Sequence, residues 1–238
     1  MLTVLLFHVG TASAQVYELR TYTTMAGKLD NLHQRFRDHT AAIFDKHGMK
    51  SVGYWQPVAG EKNTLIYVLE HASLAAAKQS WKAFSADPAW HKVSAESQLN
   101  GRILARAPES VYMQAAAFSP PYNRPAGEGV FELRTYRTHE GKLDALNSRF
   151  QDHTMAIFDR FGMTSVAYWH PLQQPGANDT LMYILRHDSL TAAKKSWAAF
   201  IADPQWKTVA AQSQLQGPIL RARPESVYMT ATDYSVIQ

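Results

Sequence analysis

The chain has 238 residues, 46% of them hydrophobic and 18% charged, and its 24 basic and 20 acidic side chains leave a net charge of +4. That is the make-up of a globular protein, and the charges are dispersed, without the basic block that nucleic-acid binding calls for. Cysteine is absent, which excludes disulfides, thiolate nucleophiles and cysteine-ligated metals or clusters.

At the N-terminus, Leu2–Phe7 is a short apolar run, and Ala12-Ser13-Ala14 ahead of Gln15 has the small-x-small pattern of a signal-peptidase site. The basic segment that usually opens such a leader is missing, since no Lys or Arg precedes Arg20. The expectation is a leader over residues 1–14 and a periplasmic or secreted chain starting at Gln15, with a cytoplasmic full-length chain as the alternative. No apolar stretch is long enough to cross a bilayer as a helix.

The rest of the chain is written twice. Tyr17–Pro57 aligns without a gap on Phe131–Pro171, with 27 of 41 positions identical. The match resumes at Thr64 and Thr180, after an insertion of two residues in the second copy, and runs on to Met113 and Met229. A duplication of this length divides the chain into two units, residues 15–113 and 130–229, joined by a proline-rich tether (114–129) and followed by a tail (230–238).

Within each unit the elements follow in a readable order. Val16–Tyr22 alternates Tyr17, Leu19 and Thr21 with Glu18, Arg20 and Tyr22, the period of a strand. Gly27 opens a helix whose stripe is Leu29, Leu32, Phe36, Thr40, Ile43 and Phe44, and Gly48 closes it. Strands follow over 51–56 and 64–71. Ser73 then caps a helix through Trp81 and Phe84, Asp87-Pro88 restarts a further turn, and residues 110–113 form a last strand. The second copy repeats every step, closing its first helix at Gly162. The order β-α-β-β-α-β is the split ferredoxin-like unit, which covers one sheet face with helices and leaves the other bare. Two bare faces in one chain are expected to bury each other. The predicted class is therefore α+β, and the Glu18/Arg20/Tyr22 and Glu132/Arg134/Tyr136 faces are expected to meet there.

The ordered set ELRTY, GKL, HG, YWQP and DPAW, answered by ELRTY, GKL, FG, YWHP and DPQW, resembles the NIPSNAP family. The resemblance covers residues 16–113 and 130–229. It implies an intramolecular dimeric α/β barrel built from two tandem units, and the wider superfamily includes cofactor-free monooxygenases, small-ring isomerases and haem enzymes, usually with pockets between sheet and helices. Further assembly into a homo-oligomer is a feature of that superfamily too.

Several residues are candidates for chemistry. Glu18, Arg20 and Tyr22, with Glu132, Arg134 and Tyr136, must pair if buried. The bland reading is a structural ion-pair network between copies, and the sharp one an anion or carboxylate site on Arg20 or Arg134. His39 and His153 border the apolar stripe, where each could act as a base, with Tyr54 or Tyr168 as hydrogen-bond donor. The preferred role for these histidines is structural, bonded to a tyrosine or a backbone carbonyl. Trp55, Trp81, Trp169 and Trp197 are core residues or the walls of an apolar pocket. His47 answers to Phe161, which points to a filler of an apolar slot. No HExxH, P-loop, GxGxxG or GxSxG occurs, so zinc-peptidase, nucleotide, dinucleotide and α/β-hydrolase chemistry find no motif here. The expectation is a non-catalytic small-molecule-binding or scaffold protein that needs no cofactor and takes a small apolar ligand. The alternative is a cofactor-independent monooxygenase or isomerase acting on a small apolar or aromatic substrate.

Overall fold

A computed structural model describes residues 15–60, 63–121 and 128–237; the expected leader, residues 1–14, lies outside the described residues. Unit one contributes strands β1 (Val16–Thr23), β2 (Lys50–Pro57), β3 (Thr64–His71) and β4 (Glu109–Ala115). Unit two contributes β5 (Val130–Arg137), β6 (Thr164–Pro171), β7 (Thr180–His187) and β8 (Glu225–Ala231). Inside each unit β1 lies between β4 and β3, and β5 between β8 and β7, the arrangement that two βαβ crossovers produce. The units then join edge to edge. β2 pairs with β8 (Trp55 opposite Ala231), and β4 with β6 (Met113 opposite Pro171). The result is one closed barrel, β1-β3-β2-β8-β5-β7-β6-β4, whose order repeats after a half turn about the barrel axis.

The helices lie outside the barrel. In unit one they are α1 (Leu29–Arg35), α2 (Ala41–Lys46), α3 (Leu74–Ala86) and α4 (Pro88–Glu96); α5 (Leu143–Arg149), α6 (Met155–Arg160), α7 (Leu190–Ala202) and α8 (Pro204–Gln212) repeat them. Ser73 caps α3 by accepting from the Ala76 amide at 3.0 Å. Asp87 ends α3 and caps α4, with Pro88 in the first turn, where a missing N–H costs nothing. α1 and α2 are one helix interrupted by a π turn, Phe36–Thr40, and Phe150–Thr154 interrupts α5 and α6 identically. The Thr40 hydroxyl donates to the Arg35 carbonyl at 3.1 Å, and Thr154 to Arg149 at 3.0 Å.

Three apolar cores result. One lies inside the barrel and contains Leu19, Trp55, Phe131, Leu133 and Trp169. The other two lie between each sheet and its helices, built around Phe36, Phe44 and Tyr67 and around Phe150, Phe158 and Tyr183. This reverses one expectation. The face that enters the barrel is Tyr17, Leu19 and Thr21, while Glu18, Arg20 and Tyr22 point to the helices of their own unit.

Neither tether nor tail is a mere connector where it is described. The Thr232 amide donates to the Tyr54 carbonyl at 3.0 Å and the Tyr54 amide to Ser235 Oγ at 2.9 Å, so the C-terminal arm of unit two clasps β2 of unit one. Ala116 and Ser119 make the matching bonds to Tyr168, at 2.9 and 3.0 Å. Tyr234 packs on Tyr54, and Ile237 is fully buried in the barrel core. Ile237→Ala should therefore lower stability by about 2–5 kcal/mol in urea titration, the cost of truncating a core aliphatic side chain. A loss below about 0.5 kcal/mol would mean the arm is not docked.

Candidate functional site

The most ordered polar group is centred on Glu18, whose side chain is fully buried. Oε1 accepts from Arg20 Nη1 at 2.7 Å and Ser110 Oγ at 2.6 Å; Oε2 accepts from Trp81 Nε1 at 2.6 Å and His71 Nε2 at 3.0 Å. Unit two repeats it around Glu132, with Arg134 and Ser226 at 2.6 Å on Oε1, and Trp197 at 2.6 Å and His187 at 3.0 Å on Oε2. Each arginine lies over an indole, Arg20 4.2 Å from the Trp81 ring centre and Arg134 4.1 Å from that of Trp197. Burial alone would raise the pKa of Glu18. The His71 hydrogen bond, the Arg20 charge and the bonds from Ser110 and Trp81 outweigh it and hold the carboxyl at about 2. Every partner comes from the same unit, so each network lies within one copy and does not bridge the two.

The proposed base and donor do not meet. His39 and His153 are exposed, whereas Tyr54 and Tyr168 are fully buried. The reason is the π turn. Its wider i→i+5 spacing holds an additional residue, so Thr40 takes the inward place and His39 rotates out to solvent. The Tyr54 hydroxyl is bound to Ser51 Oγ at 2.6 Å and that of Tyr168 to Ser165 at 2.7 Å, while burial pushes both phenols well above their ordinary pKa. The space a substrate would need beside Tyr54 is filled by Phe36, Tyr67 and Tyr234. His47 is more than a filler, since Nε2 meets Asp87 Oδ2 at 2.7 Å; in unit two Phe161 takes its position and Arg160 reaches Asp203 at 2.8 Å.

Of the tryptophans, Trp55 and Trp169 plug one end of the barrel, against Phe131 at 5.7 Å and Tyr17 at 5.8 Å. The Trp55 ring lies across Gly53, where a Cβ would come within 2.5 Å of both the indole and Ile237. The other end is open. It holds a cavity of about 790 Å³ on the pseudo-twofold axis, with Leu19 and Leu133, Thr21 and Thr135, and Val111 and Val227 facing each other across it. Its rim carries Glu109, Glu225 and Arg137, the last two ion-paired, and no histidine is among the described residues that line it. Trp81 packs against the helix–sheet core of unit one, and Trp197 borders a smaller cavity of about 280 Å³ in unit two.

Because Glu18 and Glu132 ionise more readily folded than unfolded, the unfolded chain binds more protons in acid. Their contribution is complete above the ordinary carboxylate pKa of 4.5 and disappears as pH falls towards about 2. Glu18→Gln should cost about 3–5 kcal/mol at neutral pH by leaving Arg20 without its counter-charge. It should also flatten the loss of stability between about pH 5 and 2; an unchanged acid slope in urea titrations would contradict the assignment.

The NIPSNAP family profile matches the chain twice, over residues 17–120 and 131–235. A Dictyostelium discoideum protein described as a NipSnap homolog is 28% identical over 133 residues, taking in 54% of this chain and 52% of its own length. The match thus spans about half of that relative. Among solved structures, a putative monooxygenase from Lactobacillus acidophilus NCFM is similar with a TM-score of 0.56 and 8% identity, over 95% of this chain and 100% of its own. A second putative monooxygenase, from Fusobacterium nucleatum, gives a TM-score of 0.57 and 10% identity over 92% of this chain and 93% of its own. At such identities the likeness is one of fold, a dimeric α/β barrel in a single chain. With both units matched almost from end to end, the chain belongs to the NIPSNAP family as a tandem of two of its domains.

Proposed function

We propose that this protein is a non-catalytic carrier or sensor of a small apolar molecule, held in the open end of the barrel. The observation that carries the reading is the 790 Å³ cavity, which falls within the range of small-molecule sites and is walled by paired aliphatic side chains and threonines. The hydroxyls of Thr21 and Thr135 offer hydrogen bonds that orient a ligand. An oxygenase or isomerase acting through His39 with Tyr54, or His153 with Tyr168, is the less favoured reading, because each histidine is exposed and each tyrosine fully buried. The twofold relation of the walls favours a compact ligand presenting similar surfaces to both units.

The neutral fluorophore N-phenyl-1-naphthylamine should bind with a blue-shifted, enhanced emission. Thr135→Trp, which places an indole in the cavity from a half-exposed position, should abolish that signal without lowering the melting temperature by more than a few degrees. Undiminished binding by Thr135→Trp would rule out the barrel mouth as the site.

A further inference from the structure

The smaller cavity in unit two, about 280 Å³, is faced by two guanidinium groups, Arg134 from β5 and Arg149 from the end of α5. Arg134 is neutralised by Glu132 at 2.6 Å. Arg149 is not. Its residue is 6% exposed, its Nε has no partner, and its one side-chain hydrogen bond runs from Nη1 to Ser213 Oγ at 3.3 Å. Among the described residues no carboxylate forms an ion pair with it. The Trp206 ring lies 5.3 Å from its guanidinium carbon, and the Tyr136 hydroxyl accepts from Arg134 Nη2 at 3.4 Å. A buried cation without a counter-charge is costly, and an anion supplied from solution removes that cost.

The repeat provides a control. Arg35 holds the equivalent place in unit one, 5% exposed and 5.2 Å from the Trp90 ring. There the depression beside it is also lined by Asp38 and Glu96. Unit two has Gln212 where unit one has Glu96, Ala210 where it has Ser94, and Ile201 where it has Ser85. It has therefore lost an acid and gained apolar wall around the same arginine.

We propose that the unit-two cavity binds a small aromatic carboxylic acid. The carboxylate takes the Arg149 guanidinium as its counter-charge, through the paired N–H···O geometry that arginine presents. The ring packs among Trp197, Phe200 and Trp206, which line the cavity. The volume lies just under the range of drug-sized sites, which limits the ligand to about the size of a substituted benzoate. This site is separate from the barrel mouth, and the two readings stand or fall independently.

The test is a titration of the full chain with 4-fluorobenzoate followed by fluorine NMR, with 4-fluorobenzamide as the neutral control. The wild type should bind the acid saturably and the amide at least about tenfold more weakly, the scale of a lost charged hydrogen bond. Arg149→Gln should weaken the acid by at least about tenfold, and Ala210→Phe, which fills the cavity and leaves both arginines in place, should abolish binding. Arg35→Gln and Thr135→Trp should leave it unchanged. Should Arg149→Gln not fold, Ala210→Phe still decides the matter. Absence of saturable binding to the wild type, equal binding of acid and amide, or full affinity in either cavity variant would overturn the proposal. So would loss of binding in Thr135→Trp, which would assign the ligand to the barrel mouth.

Discussion

Backbone hydrogen bonding at the sheet edges is the constraint from which the architecture follows. Each four-stranded sheet ends in two edge strands, β2 and β4 in one unit and β6 and β8 in the other, with unpaired amides and carbonyls along them. Each edge finds its partner in the opposite unit, and closure removes every edge at once. The C-terminal arm of each copy then continues past its last strand onto the neighbour's Tyr54 or Tyr168. The two copies thus complete one another, and the apolar sheet faces become the wall of a single interior with a pseudo-twofold axis. That interior is filled at one end by two indoles and left open at the other, which places a symmetric cavity on the axis.

Electrostatics inside the helix–sheet layers serves a different purpose. A carboxylate taken wholly out of water is tolerable only when its lone pairs are occupied, and Glu18 and Glu132 each accept four hydrogen bonds. The donors tie three elements of a unit together: Ser110 from β4, His71 from β3 and Trp81 from α3. This cluster fixes where α3 sits on the sheet. Its carboxylate is fully buried, while 14% of the Arg20 side chain remains exposed.

Much of this was legible in the sequence because the duplication doubled every local signal. Strand and helix order, the glycine ends of the first helices and the Ser73 and Asp87-Pro88 boundaries follow from period, punctuation and repetition, whereas the closed barrel was implied by the family resemblance. The inward face of β1 did not follow. Tyr17-Leu19-Thr21 and Glu18-Arg20-Tyr22 alternate cleanly, but three of the four donors to Glu18 lie between 53 and 92 residues away in the chain and leave no local trace. His39 was misplaced because a 3.6-residue period takes no account of the π turn, whose one hint is the buried threonine at Thr40 and Thr154. Two readable signals were passed over. Phe118-Ser119 and Tyr234-Ser235 repeat just beyond the last strand, marking the arms, and Arg35 and Arg149 repeat within an otherwise apolar stripe.

The central proposal is that a small apolar ligand is held in the barrel mouth, and not within the unit-one layer that Phe36, Phe44 and Tyr67 occupy beneath the helices. Methyl-resolved NMR of the full chain, titrated with N-phenyl-1-naphthylamine, tests this most directly. Shifts should concentrate on Leu19, Val111, Leu133 and Val227, which face the cavity, with Leu32 and Ile43 beneath the helices unmoved. Shifts centred on Leu32, Ile43 and their neighbours, with Leu19 and Leu133 silent, would contradict it.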